Sequence, residues 1–181
     1  GNAGNGNYIC LNLAAAKATK TAGADNSSYF RTENGGITST KVEFANQGPT
    51  DVNGGSYIMY AWKQVAGVSA FGTYAGTGGP RRVYTDSDYD GTGTGAFSPG
   101  LVMIKEIGGT GPWYMYDKFR QVGVDANDWQ NSKYVLANDA AAETAVNDWQ
   151  FNFNADGFTI PDWTRDGINK VGETYIWMAW A

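Results

Sequence analysis

The apolar residues of this chain fall in short runs and short alternations, with no helical stripe. Leu101–Lys105 (LVMIK) is a brief continuous apolar run, which predicts a strand of a sandwich core. Trp113–Asp117 (WYMYD) follows Gly108-Gly109-Thr110-Gly111-Pro112, a turn-rich link, so the two segments read as a hairpin. Phe151 and Phe153 alternate with Asn152 and Asn154, the mark of a half-buried strand. Asp156-Gly157 turns that strand, and Asn34-Gly35 is the matching turn nearer the N-terminus. SYIMYAW (56–62) and TYIWMAW (174–180) are apolar at both parities, which predicts central strands covered on both faces. Trp62, Trp177 and Trp180 on these strands are expected in the core. The alanine runs 14–16 and 140–142 offer one or two helical turns each, the second capped by Asn138 or Asp139. The reading is all-β, a β-sandwich of jelly-roll or concanavalin-like kind with little helix.

The pattern also repeats. Tyr8, Asn12 and Ala14-Ala15-Ala16 fall on Tyr134, Asn138 and Ala140-Ala141-Ala142 at a constant offset of 126. YFRTENGG from Tyr29 lies over FNFNADGF from Phe151, and VNGGSYIMYAW from Val52 lies over KVGETYIWMAW from Lys170. Order is kept, and two four-residue gaps account for the drift in offset. Residues 64–181 therefore read as a complete sandwich unit, and 1–63 as the back half of another. The chain is expected to be a piece of a longer array, with one domain of two related halves as the alternative. Repeat arrays serve structure and binding more often than chemistry.

Composition narrows the function. Glycine is 25 of 181 residues and leucine only four, which suits short strands and tight turns. Histidine is absent, which removes the commonest general base and most catalytic zinc sites. The single cysteine, Cys10, makes no internal disulfide and reads as a small buried hydrophobe. The net charge is −5, and the 13 basic residues are scattered, so nucleic acid and anionic membranes are poor partners. No apolar run approaches the roughly 18–20 residues of a membrane helix, and no leader with a cleavage site is visible.

Three kinds of candidate chemistry remain. Asp86-Ser-Asp88-Tyr-Asp90-Gly91 has the spacing of the first half of a calcium loop, in which alternating carboxylates converge on one hard cation. The twelfth position is Phe97, not Glu, so it is no EF-hand. Asp86, Asp88 and Asp90 are the candidate ligands, calcium the candidate ion, and a solvated acidic turn the plain alternative. Seven Trp and eleven Tyr suggest sugar stacking, and Trp113, Trp129, Trp149 and Trp163, in or beside loops, are the candidate carbohydrate contacts. Paired carboxylates for glycoside hydrolysis would come from only five Glu and 13 Asp, with no acid-rich strand, so surface solubility accounts for them better. GTYAGTGGP (72–80) and GTGTG (91–95) lack the Lys-Ser/Thr and helix of a phosphate loop.

One series of motifs has a family resemblance: Phe97–Lys105, Trp113–Asp117, Tyr134–Ala142, Phe153–Phe158 and Gly172–Ala181. It resembles the repeated, functionally uncharacterised domain of tail-fibre and other structural proteins of tailed, often marine, bacteriophages. The resemblance covers 64–181, and its back half recurs over 8–63. The Asp86–Gly91 segment is not part of that pattern. The resemblance implies a virion location, serial β-sandwich units, partnership with other virion chains and trimerisation, and it assigns no site residue. The expectation is a non-enzymatic structural or adhesive module contacting host-surface glycans. A stand-alone lectin-like module is the alternative, and a sandwich-fold glycosidase ranks third.

Overall fold

A computed structural model describes residues 6–8, 18–20, 56, 60–121, 132–146, 151–160 and 167–181. The chain divides into two compact units, one of residues 1–9 and 17–61, the other of 10–16 and 62–181. In the first, the described structure is an antiparallel hairpin of β1 (Gly6–Tyr8) and β2 (Ala18–Lys20).

The second unit holds two antiparallel sheets built from β3 (Ser69–Ala75), β4 (Arg81–Tyr84), β5 (Leu101–Glu106), β6 (Trp113–Asp117), β7 (Ser132–Leu136), β8 (Thr144–Val146), β9 (Asn152–Asn154), β10 (Gly157–Ile160) and β11 (Thr174–Trp180). The larger sheet runs β3-β11-β5-β6-β7-β8 and the smaller β4-β10-β9. Among the described residues the only helical element is a single 3-10 turn, Lys118–Gln121. The fold is an all-β sandwich.

β5 is buried at every position from Val102 to Glu106, as its apolar run implies, whereas β11 alternates between two faces. On β11, Tyr175, Trp177 and Ala179 point inward and are fully buried, while Ile176, Met178 and Trp180 are half-buried on the opposite face. Register carries the inward set across the sheet, because Trp177 pairs with Gly72 and Ile104, and Ile104 with Tyr114. The smaller sheet answers with Val83, Phe158 and Ile160. The interior is built largely from aromatic rings. Tyr116 stacks on Phe151 at 4.1 Å, Phe151 on Phe158 at 5.3 Å, and Phe158 meets Trp177 edge-on at 5.6 Å. With four leucines in the chain, rings supply the buried area that leucine would otherwise give.

The β7–β8 hairpin repeats β1–β2 residue for residue. Gly6 pairs with Lys20 and Tyr8 with Ala18, and 126 positions further on Ser132 pairs with Val146 and Tyr134 with Thr144. The sequence offset of the Tyr8 and Tyr134 segments is therefore also an offset of strand register.

Three expectations change. Ala140–Ala142 is not helical, because Asp139 Oδ1 accepts the Ala141 amide at 2.9 Å and closes a side-chain turn there, while Asn138 Oδ1 accepts the Trp113 amide at 2.7 Å. Tyr60–Trp62 is not strand, and Trp62 is 56% exposed, its ring edge-on to Trp180 at 5.8 Å instead of inside the core. The outer face of β11 is only half covered. The Asn34-Gly35 turn, the 14–16 alanine run and Cys10 lie outside the described residues.

Candidate metal centre in the loop after β4

β4 ends at Tyr84, and the chain then forms a loop from Asp86 to Gly95 before reaching Phe97. Its base is locked from both sides. The Thr85 hydroxyl donates to the Phe97 carbonyl at 2.7 Å and accepts the Phe97 amide at 2.9 Å, and the Ser87 amide donates to the Thr94 carbonyl at 3.1 Å. Gly91 takes φ +91°, where a Cβ would stand 2.9 Å from the Tyr84 ring. The glycine of the D-x-D-x-D-G spacing is thus required by both its conformation and its neighbour.

The three aspartates differ in setting. Asp86 is 1% exposed, and its Oδ2 accepts the amides of Gly91 at 2.8 Å and Gly93 at 3.2 Å. Its Oδ1 is buried with no hydrogen-bond partner. A buried carboxylate oxygen without a partner is costly, and a cation is the natural group to satisfy it. Asp88 and Asp90 are exposed, and one carboxylate oxygen from each of the three lies within 4.8 Å of the others. Oxygens around a single calcium ion, each at 2.3–2.6 Å, are at most about 5 Å apart. Among the described residues, no lysine or arginine forms an ion pair with any of the three. The Thr92 hydroxyl and amide both donate to Asp90 Oδ1, at 2.7 and 2.8 Å, and hold its carboxyl below the usual carboxylate range. The same two bonds orient the Asp90 carboxylate before any ion arrives. Clustered carboxylates with no built octahedral cage suit calcium better than magnesium, which demands near-ideal octahedral geometry.

Tyr89, between two of the aspartates, is the residue the sequence reading passed over. It adopts φ 65°, unusual for a bulky side chain. Its ring meets Trp177 edge-on at 5.6 Å, and its hydroxyl donates to Gln64 Oε1 at 2.6 Å. An aromatic residue inside an acidic loop was the signal that the loop is anchored to the core.

The other candidates fare differently. Trp113 lies on β6 at 4% exposure, so its ring is not available to a sugar; Lys105, fully buried, pairs with it across the sheet. Trp129, Trp149 and Trp163 lie outside the described residues. Of the glutamates, Glu106 is buried and pairs with Lys170 at 3.2 Å. Glu143 bridges Arg120 at 2.6 Å and Lys133 at 3.3 Å, and those cations hold its carboxyl below its ordinary value. No helix of the described residues is long and apolar enough to cross a membrane.

The second unit is thus an antiparallel sandwich module with one carboxylate-lined loop. Residues 2–181 match the model of a family described as a domain of unknown function, DUF7483, and the chain belongs to that family. No curated protein and no solved structure matches the chain.

Proposed function

We propose that this chain is a non-enzymatic structural and adhesive module of a tailed bacteriophage, placed in the virion tail or fibre, and that Asp86, Asp88 and Asp90 bind calcium. The observation that carries the structural role is the hairpin repeated at one register, which is how a serial β-module is built. The carboxylates support the same reading. Glu106 and Glu143 are committed to cations and so are poorly placed as a general acid and its partner. Its partners are other virion chains, in a trimer, and host-surface glycans.

A lectin-like module remains the second reading, because Trp62 presents an exposed ring beside Trp180 and Phe71, themselves 5.8 Å apart. A glycan-array screen with calcium and with EDTA, run beside sedimentation equilibrium, separates the two. A trimer supports the structural role, and a trimer that binds no glycan removes host-surface glycans from its partners. A monomer whose glycan binding is lost in EDTA supports the lectin. Glycan cleavage abolished by changing one carboxylate would contradict both.

A further inference from the structure

The loop that carries the three aspartates also holds down residues 62–69, the lead-in through which the chain enters the sandwich. The Tyr89 hydroxyl donates to Gln64 Oε1 at 2.6 Å, and the Gly67 amide donates to the Gly95 carbonyl at 2.8 Å. Among the described residues it is also moored on the end of the chain, where Ser69 pairs with Trp180. The Ala181 amide donates to the Val68 carbonyl at 2.9 Å, and Trp62 packs edge-on against Trp180. Within itself it is a tight turn, closed by Val65 and Ser69 and by the Ser69 hydroxyl donating to the Lys63 carbonyl at 2.7 Å. It buries little, since Trp62, Val65 and Val68 are 56%, 45% and 53% exposed. A segment with so little buried area depends on its few fixed contacts.

Two of those contacts come from the acidic loop. Without a cation, three carboxylates crowd together, and Asp86 Oδ1 stays buried without a partner. Tyr89 sits between Asp88 and Asp90, so any relaxation of those two carboxylates moves the residue that reaches Gln64. The geometry points to a calcium-dependent clamp: an ion on Asp86, Asp88 and Asp90 fixes Tyr89 and Gly95, and through them keeps the lead-in 62–69 docked. This rests on the calcium reading of the loop and adds to it a consequence outside the loop. In a protein of serial units, calcium would then set how firmly the chain is held where it enters this one.

Lys63 offers the test, because the Ser69 hydroxyl holds its carbonyl and Tyr89 holds Gln64, so opening of the lead-in frees the Lys63–Gln64 bond for a protease. The full chain is digested with a lysyl endopeptidase, which itself needs no calcium, and the 64–181 fragment is followed by mass spectrometry. Cleavage after Lys118, in the exposed 3-10 turn, is the internal reference. Calorimetry with calcium chloride on the same samples reports occupancy. EDTA should raise cleavage at Lys63 by about tenfold or more, because proteolysis follows the open population and ligand binding lowers it. At calcium just sufficient to load the parent protein, Asp88→Asn should cleave at close to the EDTA rate. Tyr89→Phe should still take up calcium yet cleave about fivefold faster than the parent protein in calcium, having lost one hydrogen bond. A chain that calorimetry shows to be loaded, but whose Lys63 cleavage ignores calcium, overturns the clamp and leaves the metal site standing. No heat of calcium binding overturns the metal site, and the clamp with it.

Discussion

Asp86 carries a carboxylate to a place where water does not reach, and half of that carboxylate is answered by backbone amides. Its spacing with Asp88 and Asp90 was legible in the sequence, and so was the glycine that follows. Its burial was not, because it depends on β4 and the Thr85–Phe97 lock folding over it. Phe158 and Trp177 are the residues whose loss should cost most, being fully buried at the contact between the two sheets. Phe158→Ala should lower unfolding stability by about 3–5 kcal/mol in urea denaturation, the usual cost of emptying so large a site. Tyr175 gives a pH prediction. Burial pushes its phenol up to about 12, with Glu106 and Glu173 adding to the rise and a hydrogen bond from the Lys170 amide opposing it. Tyr74, stacked on it at 5.0 Å, is raised as well, first by burial. Above an ordinary tyrosine value near 10 the unfolded chain gives up these protons while the folded chain keeps them. Stability is therefore full below about pH 10 and falls between there and pH 12, and the urea midpoint followed over that range should show it. Tyr175→Phe should flatten the fall; an unchanged slope would contradict the assignment.

Strands were the most readable level. LVMIK, WYMYD, the Phe151–Asn154 alternation and TYIWMAW appear as β5, β6, β9 and β11, because a short apolar run bounded by glycine-rich turns has few other ways to bury itself. The turn falls one residue earlier than Asp156-Gly157 implies: Ala155-Asp156 joins β9 to β10, and Gly157 opens β10 opposite Asn154. Gly157 sits at φ +153°, and a Cβ there would run into the Val83 carbonyl of β4. Gly157→Ala should therefore cost roughly 1–3 kcal/mol, seen as a lower melting temperature. The alanine run at 140–142 differs from its helical pattern for a physical reason: alanine favours helix, but the preceding Asp139 offers the backbone a competing side-chain bond. The tryptophans were readable only in part. Trp177 is in the core, as its strand implies, while Trp113, assigned to a loop edge, lies buried on β6 and Trp62, assigned to the core, is more than half exposed. Apolar patterning places a ring on a strand; which rings the neighbouring elements cover is settled by tertiary packing.

At the scale of the whole molecule, the repeat found in the sequence recurs as strand register in the hairpins of the two units. Nothing in the sequence spacing said that the acidic loop would be tied to the core through Tyr89 and Trp177, yet that tie is what makes an ion there matter beyond its own ligands. Calcium binding by this loop underlies both the metal centre and the clamp, and calorimetric titration of the full chain with calcium chloride tests it most directly. Saturable binding of one ion is predicted, weakened about tenfold or more by Asp88→Asn and again by Asp90→Asn, since affinity in such loops follows the number of charged ligands. A flat titration, or binding that survives both substitutions unchanged, would contradict it.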